Sequence, residues 1–409
     1  MPQSLAARLN LADLLAAVED APPVAAADAV AAGLALAVGA SDVAFLIADF
    51  SGQALIRLGH AGSERGIRTQ GRETAESVPL VGTPHGRALE TQAVVMEDRD
   101  GATFLYAPVT NRGEAIGVLE LMLPLPPSAQ ALADVGLAAH MLAYVVIANR
   151  RYTDLFEWGQ RSLPLSLAAE IQHRLLPGTY TCEAGQFTLA AWLEPAGDVG
   201  GDTFDFSIER ETLHLSLTDA MGHTVDAAVL ATVLVGALRN ARRAGAGLAD
   251  QARRANRDLE KYAQNGEFVT GQVARVDLRA ETATIVNAGH PPPLRLRGGR
   301  VQPVPLQPAP PFGILPGYEY RVQSLPLAPG DRLIFITDGM LERNTLDIDI
   351  GILIEEGAEM HPREAVQQLI RALLEVTGGK LTDDATVLCL DWHGGPPRRR
   401  TSDGGANTP

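Results

Sequence analysis

Four aspartates stand at strand ends or glycine turns, positions from which carboxylates can hold a hard divalent cation. Asp202 closes the turn Gly200-Gly201-Asp202. Leu213, Leu215 and Leu217 alternate with His214, Ser216 and Thr218, a period of two that predicts a half-buried strand ending at Asp219, just before the Gly222 turn. Arg332-Leu-Ile-Phe-Ile-Thr-Asp-Gly339 reads as a strand apolar on both faces that ends at Asp338. Asp383 and Asp384 reverse the order, preceding the strand Ala385-Thr-Val-Leu-Cys-Leu390. If the first two strands run antiparallel to the third, Asp219, Asp338 and Asp383 converge.

Four aspartates with no nearby cysteine or paired histidine form an all-oxygen set, which suits Mg²⁺ or Mn²⁺ and argues against Zn²⁺ or Cu²⁺. Two unit charges 4 Å apart repel by roughly 4 kcal/mol at a surface-like dielectric, so the cluster implies a cation. With two ions roughly 3.5–4 Å apart, one carboxylate can serve both, and water between them is activated for in-line attack on phosphorus.

Residues from about 165 to 391 resemble the metal-dependent serine/threonine phosphatases of the PPM (PP2C-type) class, in the bacterial SpoIIE/RsbU-like branch. The resemblance is carried by Ile171-Gln-His-Arg-Leu-Leu-Pro177, Val199-Gly-Gly-Asp-Thr-Phe-Asp205, Thr218-Asp-Ala-Met-Gly-His223, Phe268-Val-Thr270, Val286-Asn-Ala-Gly-His-Pro-Pro-Pro293, Phe312-Gly-Ile314, Thr337-Asp-Gly-Met-Leu-Glu342 and Asp383-Asp-Ala-Thr386. The family's roles, carried across, make Asp219 the bridge between two Mg²⁺ or Mn²⁺ ions, with the Ala220 carbonyl helping to bind one and Asp338 and Asp383 binding the other. Asp202 would reach the site directly or through water, and Asp202 and Asp219 become the expected catalytic residues. Thr224 and Asp226 depart from the family's Gly-His-Gly loop, which bears on loop and substrate fit rather than on a ligand.

With 409 residues the chain exceeds one ordinary domain. Its net charge of −15, from 34 basic and 49 acidic residues, argues against nucleic acid or an anionic membrane as partner. Cys182 and Cys389 have no metal-ligand spacing and fit a reducing compartment, with Cys389 a core residue. The first twenty residues lack the pattern of a signal peptide, and Val24–Ala40 and Leu132–Ala148 read as too short and too interrupted to cross a bilayer, so a cytoplasmic protein is expected.

Residues 22–124 alternate helix and strand. Ala107-Pro-Val109 and Ile116-Gly-Val-Leu-Glu-Leu121 resemble a GAF sensory domain, which implies a possible small ligand. His60 and His85 read as loop or surface residues. Leu132, Val135, Ala139, Leu142 and Val146 form an apolar seam, which either packs on the domain's own sheet or joins two parallel helices in a homodimer, and the dimer is the reading preferred here. His290 reads as a turn-stabilising residue; His223 reads equally as phosphate-facing or solvent-exposed.

The expected fold is α+β: a GAF-like α/β/α sensor joined by a helical linker to a PP2C-like domain of two antiparallel sheets flanked by helices. The expected layout is an N-terminal helix at 1–20, the sensor at 21–126, the linker at 127–164, the phosphatase-like domain at 165–393 and a disordered tail at 394–409. Two functions are in play. One is a phosphatase acting on a phosphorylated anti-sigma-factor antagonist, under control of the sensor; the other is a non-catalytic docking module of the same fold.

Overall fold

A computed structural model describes residues 9–49, 52–61, 68–69, 72–73, 76–160, 166–196, 200–222, 225–263, 266–341 and 349–396. His223, Thr224 and Pro164 lie outside them, as do the His60 side chain and the tail from 397. The chain divides into two units, residues 1–164 and 165–399.

The first unit is built on six antiparallel strands: β1 Asp42–Ala48, β2 Ala54–Ala61, β3 Ser77–Pro79, β4 Val95–Arg99, β5 Ala102–Asn111 and β6 Glu114–Leu123, in the order β3-β2-β1-β6-β5-β4. Alternation along β1 decides what each face meets. Val43, Phe45 and Ile47 join the core shared with the helices α1 Leu11–Asp20, α2 Ala26–Val38 and α4 Ala129–Asn149, whereas Ala44 and Leu46 pack with Ala88 and Leu89 of α3 Pro84–Thr91.

Two expectations change here. Helix α4 begins at Ser128, whose hydroxyl accepts from the Ala131 amide, and its stripe Val135, Ala139, Leu142 and Val146 is buried within the unit's own core. Helical periodicity reports an apolar face and cannot name what covers it, so these residues are not a dimer seam. The helix has the length and composition of a membrane span, and its apolar face is occupied by the sheet. His85 is not a surface residue: it is 7% exposed, with Nε2 2.8 Å from Glu120, which also accepts from Arg57.

The second unit is a sandwich of two antiparallel sheets. The short helix α5 Leu155–Gly159 ends the first unit; after α6 Leu167–Leu175, one sheet of the second takes β7 Thr181–Glu183, β8 Phe187–Glu194, β13 Leu294–Arg297, β14 Arg300–Pro303, β16 Asp331–Ile336 and β17 Ala385–Trp392, in the order β14-β13-β16-β17-β8-β7. The other takes β9 Asp202–Ile208, β10 Thr212–Ala220, β11 Val269–Asp277, β12 Thr282–Ala288 and β15 Gln323–Pro326, in the order β9-β10-β11-β12-β15. Phe204, Leu213, Leu215, Leu217, Leu333, Phe335, Leu388 and Trp392 fill the space between them.

Helices α7 Val225–Arg243 and α8 Leu248–Leu259 cover the outer face of the second sheet. For that reason β10 is buried on both faces rather than half-buried: His214 is 7%, Ser216 8% and Thr218 0% exposed. Helices α9 Ile350–Glu356 and α10 Pro362–Thr377 close the outer face of the first sheet, burying Cys389 as core.

Leu142→Ala should destabilise the first unit by about 2–5 kcal/mol, the range for emptying a packed leucine site. Val146→Asp should cost more, because the carboxylate would be buried without a partner. Urea unfolding at two protein concentrations checks this. A core residue gives the same loss at both, whereas a subunit seam would give a loss that grows on dilution.

Candidate metal centre

Strand pairing brings the four predicted aspartates to one end of the sandwich. β9 and β10 pair with Asp202 opposite Asp219, and β10 and β11 pair with Asp219 opposite Thr270. On the facing sheet β16 and β17 run antiparallel with Ile336 opposite Val387, so Asp338, just past one strand, meets Asp383, just before the other. A 3₁₀ turn, Asp338–Met340, follows β16. Gly339 is required in it: a Cβ there would stand 2.0 Å from the Asp384 carbonyl oxygen.

The carboxylates fall into two layers. Asp338 is exposed, Asp219 and Asp383 are half-buried, and Asp202 and Asp384 are only 2% exposed. The buried pair is held by neutral donors. Asp202 Oδ2 accepts from the hydroxyls of Thr337 at 2.7 Å and Thr386 at 2.6 Å. Thr337 Oγ1 accepts in turn from the Thr386 amide at 2.9 Å, which locks the two hydroxyls to one another's strands.

Asp384, which sequence reading left without a role, is the most heavily bonded of the group. Its oxygens accept from the Ala196 and Gly201 amides at 3.0 and 3.1 Å and from Gln172 Nε2 at 2.5 Å. Gln172, on α6, also donates to the Asp202 carbonyl at 2.9 Å. Asp384 therefore organises the turn that carries Asp202 and has few oxygen lone pairs left for a cation. Asp202, committed through Oδ2 to two threonines, stands opposite Asp219 across the ladder and is the more deeply buried of the two.

Electrostatics follow from this crowding. Burial, then the charges of Asp338, Asp383 and Asp384, pushes the Asp219 carboxyl up to about 7, against a bond from Thr270 that lowers it. Burial and the charges of Asp219 and Asp384 raise Asp202 well above the usual carboxylate range, opposed by Thr386 and Thr337. Among the described residues no three acidic, histidine or cysteine side chains close into a ready cage. The donor chemistry fits Mg²⁺ or Mn²⁺: Asp219, Asp338 and Asp383 are the carboxylates nearer solvent, and the Ala220 carbonyl adjoins them at the end of β10.

His290 is buried, with its backbone amide donating to Asn287 Oδ1 and its ring between Thr270 Oγ1 at 2.8 Å and the Ile336 carbonyl at 3.1 Å. It fixes the turn after β12 and ties the two sheets beside the site. Burial depresses it to about 4, so the ring is neutral at physiological pH.

Residues 209–393, a little under half of the chain, match the family model of stage II sporulation protein E (SpoIIE). The chain is 25% identical over 243 residues to phosphoserine phosphatase RsbU of Bacillus subtilis (strain 168), covering 55% of this chain and 69% of that protein. It is 25% identical over 183 residues to phosphoserine phosphatase RsbP of the same organism, covering 44% of this chain and 45% of that one. A crystal structure of the RsbU and RsbW domains of a Mycobacterium tuberculosis protein aligns with 26% identity and a TM-score of 0.46, over 53% of this chain and 63% of that one. The chain thus spans less than half of RsbP and less than two thirds of the mycobacterial chain.

A raised carboxyl binds its proton more tightly folded than unfolded, so Asp219's share of stability in the metal-free protein is present below pH 3.8 and lost as pH rises through about 7. Asp219→Asn cannot ionise and should escape that loss. Thermal melts in EDTA should therefore show the variant gaining on wild type between pH 5 and pH 8. A constant difference across that range would contradict the crowding described here.

Proposed function

We propose that this chain is a Mg²⁺- or Mn²⁺-dependent protein phosphatase that removes phosphate from phosphoserine or phosphothreonine, and that its substrate is a phosphorylated anti-sigma-factor antagonist of a partner-switching pathway in the cytoplasm. The observation that carries the reading is the convergence of three carboxylates, Asp219, Asp338 and Asp383, at one end of the sandwich, on the solvent side of the buried Asp202 and Asp384. A docking module of the same fold gains nothing from holding mutually repelling charges at that position. The relatives named phosphoserine phosphatases support the class of substrate.

Asp219, Asp338, Asp383 and the Ala220 carbonyl would hold two ions, which when bound supply Lewis acidity and water activated for attack on phosphorus. Asp202, fixed by Thr337 and Thr386, holds its place opposite Asp219. Neither cysteine belongs to the site: Cys182 and Cys389 are both buried, in β7 and β17, so no covalent phosphoenzyme is expected.

Control by the first unit is part of the proposal. Helix α6 follows the junction between the units and carries Gln172, whose amide bonds to both buried aspartates of the site. Its backbone also approaches closely: a Cβ on Gly200 would stand 2.9 Å from the Ala168 carbonyl carbon. Arg239 of α7 clamps the other end, donating to the Leu175 carbonyl at 2.6 Å. A shift of α6 would therefore move donors of Asp384 and of the Asp202 carbonyl, which gives such control a route to the site. In the first unit, the buried His85–Glu120–Arg57 group, with His85 Nδ1 unbonded, supports a small polar ligand, and exposed Leu137 and Tyr144, one heptad apart on α4, support a homodimer.

Asp219→Asn and Asp338→Asn should each lower Mn²⁺-dependent hydrolysis of p-nitrophenyl phosphate by about a hundredfold or more, with the melting temperature retained. EDTA should abolish it, and Cys182→Ser and Cys389→Ser should leave it intact. Near-wild-type turnover by either aspartate variant would sink the assignment.

Gln172→Leu should weaken Mn²⁺ binding by less than the roughly 10- to 100-fold that a direct partner of a metal ligand is worth, because it acts one step further out, through Asp384 and the Asp202 backbone. Calorimetric Mn²⁺ titration reads this directly. Unchanged affinity would mean that α6 does not reach the ions.

A further inference from the structure

We infer that the apolar strip beside Asp219 is the docking surface for the polypeptide flanking the phosphorylated residue, and that this flank is apolar rather than acidic. The inference rests on the phosphatase reading and adds the character of the substrate to it. The strip begins two residues past Asp219 and crosses three neighbouring segments. Met221, 41% exposed, donates its amide to the Phe268 carbonyl at 3.0 Å. The next residue, Val269, exchanges both backbone bonds with Phe312, at 3.0 and 2.9 Å. Ile314 and Leu315, each 46% exposed, follow directly. On the other side of Met221, α7 opens with Val225 and Val229, 39% and 44% exposed.

Two observations argue for an occupant and for its chemistry. The backbone that presents Ile314 and Leu315 is fixed from beneath by Asn256, which is 1% exposed: Oδ1 accepts from the Gly313 amide at 2.8 Å and from Tyr320 Oη at 3.1 Å, and Nδ2 donates to the Leu315 carbonyl at 3.1 Å. A loop that merely capped the sheet could let these two side chains fold inward; this one holds them outward, preorganised for contact. Asp226, which is not among the proposed ligands, stands exposed at the start of α7 beside Val225, and the chain as a whole carries a net charge of −15. An acidic flank would meet like charge and an apolar strip at once, so both discriminate against it. Met221 follows Asp219 by two residues, so a chain whose phosphate is held at Asp219 lies within reach of the strip.

The test uses the full-length protein with Mn²⁺ and three substrates: p-nitrophenyl phosphate, a phosphoserine peptide flanked by leucine and valine, and a peptide of the same length flanked by aspartate and glutamate. Wild type should favour the apolar peptide by about tenfold or more in kcat/KM, the size of discrimination that a few apolar contacts supply. Ile314→Ser with Leu315→Ser should erase that preference through KM and leave p-nitrophenyl phosphate turnover unchanged. Ile314→Lys, a single exposed change, should shift preference toward the acidic peptide. Equal kcat/KM for the two peptides in wild type would overturn the inference while the phosphatase reading stands. So would variants that alter only sedimentation, since the strip would then serve a second copy of the chain. Failure of wild type to hydrolyse p-nitrophenyl phosphate would overturn the parent reading and this one with it.

Discussion

Repulsion between Asp202 and Asp219, directly opposite on adjacent strands, is the constraint around which the second unit is arranged. Like charges facing one another across a ladder destabilise it, and burial makes the cost larger. The protein meets this cost in two ways. Asp202 is neutralised in effect by hydroxyls from β17 and the end of β16, both on the opposite sheet, so the bonds that quiet the charge also join the two layers. Asp219 receives far less. Its bond from Thr270 is outweighed by burial and three carboxylates, which leaves it ready to exchange a proton for a stronger cation.

Much of this site was legible in the sequence because strand ends are legible. The periodicity around Leu213 to Leu217, the apolar run before Asp338 and the doublet before Ala385 placed three carboxylates at strand termini, and antiparallel pairing did the rest. Asp384 was not legible. Its donors come from Gln172, Ala196 and Gly201, some 180 to 210 residues away, and no local pattern distinguishes it from Asp383. Motif reading marked the helix containing Gln172 but gave no reason for an amide there.

Where the sequence misled, it did so through burial by distant elements. The stripe on α4 was correctly apolar, but spacing alone could not choose between the sheet of the same unit and a second chain; the core around Leu142 chooses the sheet. His85 looked like a loop residue because its neighbours are proline and glycine, and its partner Glu120 lies 35 residues on. His214, Ser216 and Thr218 were expected to face water, and the packing of α7 and α8 over that sheet removes it.

The tight hairpin joining β9 to β10, closed by the Glu209 amide on the Thr212 carbonyl at 2.8 Å, carries a consequence for how this domain can change over time. Side chains alternate faces, so a single inserted or deleted residue between Asp202 and Asp219 would slip one strand and turn its carboxylate away from the facing sheet, toward the side that α7 and α8 cover. Substitution along the hairpin is a matter of degree, but its length is all or nothing. The count of residues separating the two aspartates thus acts as a ruler, and the same measure that seats the hydrophobic interior also aligns the acids at its rim.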